Sequence, residues 1–131
     1  MKQLLTLAMI GMALLFTASA RAEKPKSSPE EEALHKRAEA FVEAFNKGDA
    51  KAVAGFWTPE GDLVDQEGHK FKGRKAIEEL YTKVFGETKG AKLFIRIGSV
   101  RVARPDLALE DGETEVVFPD GPPSAGRYSV V

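Results

Sequence analysis

The chain has no cysteine, only two histidines and one tryptophan, and after residue 22 no long apolar run. Without cysteine no disulfide can staple the fold, so its stability must come from an apolar core. His35 and His69 lie far apart and have no cysteine partners, so no metal-ligand spacing is present. There is no P-loop, no GxGxxG turn and no Ser-His-Asp spacing, and no cofactor is implied. An excess of basic charge is missing too. Beyond residue 22 the chain holds 17 Lys and Arg against 20 Asp and Glu, which gives no electrostatic reason to bind nucleic acid.

A total of 131 residues suggests one domain, large enough for a modest core. Met1–Ala22 reads as a secretory signal. Lys2 gives the positive start, Leu4–Phe16 is an apolar run of 13 residues, and two A-x-A sites follow at 18–20 and 20–22. The run is short for a bilayer span, which makes an uncleaved anchor the alternative. A secreted or periplasmic protein is expected. Glu23–Ser28 is a polar linker, and residues 29–131 form the domain.

The domain opens on a helix start. Ser28 is placed to cap it, with Pro29 at the first helical position and Glu31 at the third. Leu34, Ala38, Phe41, Val42 and Phe45 recur at helical spacing until Gly48. Asp49 caps a second helix, expected over Ala50–Trp57. A hairpin follows, with strands at Asp62–Gln66 and His69–Lys72, and then a third helix over Arg74–Phe85. Ala91–Ala103 alternates as a strand whose phase shifts at Gly98, which predicts a β-bulge. Leu107–Phe118 is the next strand, or a tight hairpin at Asp111-Gly112 splits it. After a loop over Pro119–Ala125, a strand opens at Gly126. The sequence stops within that apolar pattern, so a final strand is expected to be missing. Early helices and late strands argue an α+β fold with three N-terminal helices on one side of a curved antiparallel sheet. A homodimer is expected through an apolar outer face of the long strands.

Phe41–Tyr81 carries a recognisable pattern: Phe45-Asn46-Lys47-Gly48-Asp49, the pair Phe56-Trp57, Asp65-Gln66-Glu67-Gly68, and Gly73-Arg74-Lys75-Ala76-Ile77. It resembles the SnoaL-like and ketosteroid-isomerase-like group of the nuclear transport factor 2-like fold, and within it the SgcJ/EcaC-type branch. The resemblance implies a cone-shaped domain open at one end to an apolar pocket that takes a small apolar or carbonyl-containing molecule. The candidate wall is Phe41, Phe45, Trp57, Leu63, Tyr81, Phe85 and Ile95. The alternative, which aromatic stripes at helical spacing favour, is that most of them are ordinary core.

Asp65 falls where the isomerase keeps its general base, which works with a tyrosine and a protonated aspartic acid. Those partners are absent. The tyrosine positions fall on Phe41 and Trp57, and the second acid falls near Arg127–Val131, where Tyr128 and Ser129 stand. Tyr81 keeps its phenol, and His69 could pair with Asp65 as an acid–base couple. Glu110 and Asp111 are adjacent on a strand, so only one can enter the cone. Two readings follow. One is an exported small-molecule-binding domain. The other is a proton-transfer enzyme (isomerase, cyclase or hydratase type) with Asp65 as base and Tyr81, Trp57 or His69 orienting the substrate.

Overall fold

The computed structural model describes residues 27–131. The expected signal segment, residues 1–22, and residues 23–26 of the expected linker lie outside the described residues. Helix α1 spans Pro29–Lys47, α2 Ala50–Ala54 and α3 Gly73–Glu87. Strands β1 (Asp62–Val64) and β2 (Lys70–Lys72) form a hairpin before α3. Strands β3 (Lys92–Arg104), β4 (Leu107–Val117) and β5 (Ser124–Val130) form an antiparallel sheet in that order.

The first helix begins and ends as its sequence demands. Ser28 Oγ accepts the Glu31 N–H at 3.2 Å, and Glu31 Oε2 accepts the Ser28 N–H at 3.1 Å, so two otherwise unpaired backbone donors are satisfied. Gly48 turns left-handed at φ 70°, and its N–H returns to the carbonyls of Ala44 and Phe45. Asp49 then caps α2 by accepting the Ala52 N–H at 2.9 Å.

The second helix is shorter than the expected Ala50–Trp57. Phe56 and Trp57 leave it in a tight turn, each donating to the carbonyl three residues back. Their own carbonyls are taken by arginines from elsewhere: Arg37 reaches Phe56 O at 2.7 Å, and Arg74 Nε reaches Trp57 O at 2.9 Å. Tertiary partners thus replace the bonds another helical turn would supply. Both rings swing back edge-on to Phe41, with centroids 5.3 and 5.9 Å away.

The hairpin strands are also shorter than expected, three residues each. Asp65 Oδ1 accepts the N–H groups of Glu67 (3.0 Å) and His69 (2.8 Å), and this local side-chain turn ends the ladder. Gly73 then opens α3 at φ 78°, tied by its N–H to Gly61 O at 2.9 Å, and Arg74 N donates to Pro59 O at 3.0 Å.

In the long sheet the register slips between Ile97 and Ser99, placing the bulge at Gly98 as the sequence predicts. A second slip lies between Val102 and Arg104. Strand β4 runs unbroken through Asp111-Gly112, which excludes the tight hairpin: Gly112 pairs with Ile97 on one side and Tyr128 on the other. A glycine is required there. A Cβ would lie 2.6 Å from the Arg96 carbonyl and 2.6 Å from the Tyr128 ring and hydroxyl.

Helix α1 lies on β3, while α3 packs on α2 and the hairpin. The core is Ala44, Phe45, Val53 and Leu93, with half-buried aromatics from α1, α3 and the turn after α2 packed round it, together with Ile95 and Val116. Burying a side chain such as Leu93 or Phe45 stabilises by roughly 1.5–3 kcal/mol each. Leu93 and Val116 are register partners, so their shared parity marks the inner, helix-facing side of the sheet. The outer side is not the apolar face expected for dimerisation. Alternation turns Arg96, Asp111, Glu113, Glu115 and Arg127 outward, and Arg96 pairs with Glu113 there. Phe94 (56 % exposed), Val117 (39 %) and the half-buried Leu109, register partner of Arg101, are apolar residues on it.

Candidate functional site

Most of the wall predicted from sequence is brought together, but its rings pack on one another. Phe41 meets Trp57, Trp57 meets Tyr81 at 6.1 Å, Tyr81 meets Phe45 and Phe85 at 6.2 and 5.8 Å, and Phe45 meets Phe85 at 5.0 Å. Edge-on and tilted geometry is the favourable arrangement for such pairs. Ile95 joins this cluster from the sheet. Leu63 does not. It faces Phe71 across the hairpin. Two surface hollows lie elsewhere. One of about 620 Å³ runs along α3 between Lys75, Glu78 and Lys83, and one of about 370 Å³ sits on the β3–β4 bulge beside Ser99, Asp111 and Arg127.

Tyr81 is the polar member of the cluster. Burial pushes its phenol up to about 12, so it remains a neutral donor at any physiological pH.

Asp65 and His69 do meet. His69 Nδ1 lies 2.9 Å from Asp65 Oδ2 at the hairpin tip. Desolvation alone would push the Asp65 carboxyl up. The hydrogen bonds from the His69 backbone and ring, the His69 charge and the Glu67 N–H outweigh it and hold the carboxyl below its ordinary value. The His69 imidazole moves the other way, raised by its bond to Asp65 and by that carboxylate's charge. A poised general base needs a raised carboxyl, and this one is held down by its partners. Glu67 stands close by, and one donor atom each from Asp65, Glu67 and His69 falls within 4.8 Å of the others. These three are the side chains at the tip that could hold a cation, and His69 and Glu67 are largely solvent-exposed.

The choice between Glu110 and Asp111 is resolved. Glu110 shares the parity of Gly112, Thr114 and Val116, faces inward and is 6 % exposed. Asp111 faces out, where Ser129 and Ser99 donate to its two oxygens. The Tyr128 hydroxyl donates to Glu110 Oε1 at 2.8 Å. Burial, then the bond to Glu110 and the charges of Glu110 and Asp111, push the Tyr128 phenol far above its ordinary value. This acid–phenol pair is the element the motifs did not single out. The signal that finds it is strand parity counted from Leu93 and Val116, which requires the register.

The hairpin also reaches the sheet's inner face. A Cβ at Gly126 would lie 2.1 Å from Gln66 Nε2 and 3.2 Å from Thr114 Oγ1, so the Gln66 amide rests where β5 lacks a side chain.

Helices set against one face of a bent antiparallel sheet, with a hairpin closing one side, define an α+β domain of the nuclear transport factor 2-like class. The SnoaL-like domain family matches residues 38–130, and the chain belongs to that family. Among solved structures, a ketosteroid isomerase-like protein from Erwinia carotovora atroseptica is 26 % identical, with a TM-score of 0.62 over 79 % of this chain and 81 % of its own. A cystatin-like-fold domain of unknown function from Nostoc punctiforme is 24 % identical, with a TM-score of 0.68 over 79 % of this chain and 68 % of its own. A nuclear transport factor 2-like protein of unknown function from Shewanella oneidensis is 16 % identical, with a TM-score of 0.67 over 75 % and 82 %. No curated protein matches the chain.

Proposed function

We propose that the chain is an exported SnoaL-like domain that binds a small, largely apolar molecule against the inner face of its sheet. The observation that carries this is the pair of buried Glu110 and half-buried Tyr128 on a face otherwise made of apolar and small side chains. A few converging polar groups among apolar walls are what a small-molecule site requires. The solved relative described as ketosteroid isomerase-like agrees with such a use of the fold, although fold alone does not fix function. The test is a fluorescence titration with N-phenyl-1-naphthylamine, a neutral apolar dye. Saturable one-to-one enhancement, lost in a folded Ile97→Lys variant, supports the reading, and no enhancement contradicts it. The export half is tested by expressing the full chain in a bacterial host and sequencing the exported product's N-terminus, which should begin after Ala20 or Ala22.

The second reading is a proton-transfer enzyme. It is favoured by the 2.9 Å contact between His69 and Asp65, in which the anion would orient the imidazole and raise its proton affinity. Under this reading His69→Gln abolishes turnover, whereas Asp65→Asn retains some turnover and moves the acid limb of the pH profile. Turnover unchanged in His69→Gln would reject it.

Self-association through the sheet is also proposed. It centres on Phe94 and Val117, which are diagonal neighbours across β3 and β4.

A further inference from the structure

We propose that Glu110 and Tyr128 form the polar anchor of the ligand site and that they select a ligand carrying a protonated amine on an apolar body. This rests on the ligand-binding reading and names the class of molecule it takes.

The first observation is an imbalance of charge. Glu110 is 6 % exposed, yet none of the ion pairs among the described residues involves it. The described positions around it on the inner face (Val100, Gly112, Thr114 and Val130) are uncharged, and the nearby arginines 96, 101 and 127 have outward parity. Among the described residues no fully buried side-chain oxygen lacks a hydrogen-bond partner, so the second Glu110 oxygen is open to a ligand cation that would supply the opposite charge.

The second observation concerns which hydrogen-bonding capacity is left over. The Tyr128 phenol holds its proton and spends it on Glu110 Oε1 at 2.8 Å. What remains on the pair is the second carboxylate oxygen and the phenol lone pairs, and all of these are acceptors. A ligand carbonyl, the class the family resemblance implies, would set acceptor against acceptor, and so would a carboxylate. A protonated amine brings up to three donors and the missing positive charge.

The third observation is that the pair is built in. Tyr128 reaches Glu110 by crossing Gly112, where any Cβ would lie 2.6 Å from the phenol oxygen. Val100 and Val130 are the register partners of Glu110 on its two sides, so aliphatic side chains flank the acid.

The experiment compares three molecules of one shape on the full chain: cyclohexylamine, cyclohexanol and cyclohexanecarboxylate, each followed by amide chemical-shift titration. The expected result is that the amine binds about tenfold or more tighter than the alcohol, as a charge-assisted hydrogen bond allows, and that the carboxylate binds weakest. In Glu110→Gln the amine should fall to the level of the alcohol, while Tyr128→Phe, which keeps the carboxylate, should retain a preference. Equal binding of the three by the parent chain overturns the inference, and this comparison needs no variant to fold. So does an amine preference that survives in Glu110→Gln. If none of the three binds while N-phenyl-1-naphthylamine does, the amine inference fails and the ligand-binding reading stands. If the dye fails as well, both fall.

Discussion

Glu110 and Asp111 are neighbours in sequence and face opposite ways in space. One lies under a phenol on the helix side of the sheet, the other among serines on the outside. The sequence shows that only one can point inward. Choosing between them needs the register, because a shift of one residue exchanges the two faces. The hairpin-tip pair was closer to legible, since Asp65 and His69 are four residues apart across a turn. The direction of their effect was not. A carboxyl at a pocket wall would be raised, whereas two backbone N–H groups and an imidazole hold Asp65 down. A pH prediction follows at this scale. His69 has its value raised above the ordinary 6.5, so the pair's contribution from this side is complete below about 6.5 and is lost as pH rises through the higher folded value. Asp65 is lowered from 3.8, so its contribution is present above that value and is lost as pH falls through the lower folded one. The pair should therefore matter most between about 3.8 and 6.5, and less at high salt because it is exposed. NMR titration of the His69 ring should give a midpoint above 6.5 that drops in Asp65→Asn; an unmoved midpoint would break the pairing.

At the scale of elements, caps and turns were legible because their chemistry is local. Ser28, Pro29, Glu31, Gly48 and Asp49 fix both ends of α1 and the start of α2 without reference to the rest of the fold. The lengths of α2 and the hairpin were not legible. Distant arginines and the Asp65 side chain take over backbone groups that a longer helix or ladder would have used. The join between α1 and the sheet was equally hidden. Asn46 Oδ1 accepts the Leu93 N–H at 2.7 Å, and its amide donates to the Leu93 carbonyl at 3.4 Å. Asn46→Ala should cost about 1–3 kcal/mol in a urea midpoint measurement, since it leaves a half-buried strand N–H unpaired; no change would mean that water replaces it without cost. Gly112→Ala should cost about 1–3 kcal/mol by overpacking, because the obstructing Arg96 oxygen is backbone and cannot swing aside. Gly126→Ala should cost less, since the closest atom there is the end of the flexible Gln66 side chain.

The architecture of the whole molecule was the most legible level. Helical stripes before residue 87 and alternation after residue 92 state an α+β order, and the Gly-Asp, acid-turn and Gly-x-x-Ala-Ile pattern points to the family that matches residues 38–130. What the pattern could not convey is that the rings of the aromatic wall pack edge-on and tilted against one another. Stripes at helical spacing look the same whether they line a hollow or close it. Phe94→Glu tests self-association: sedimentation at micromolar concentration should show a dimer for the parent and a monomer for the variant, and a parent that is already monomeric removes the proposal. The central claim, that a ligand seats on the inner face beside Glu110, is tested most directly by mapping methyl and aromatic shifts during a titration with N-phenyl-1-naphthylamine. Binding there should move Ile97, Val100, Thr114, Val116 and the Tyr128 ring together along one saturating curve. Shifts confined to Phe94 and Val117 on the outer face, or shifts nowhere, would contradict it.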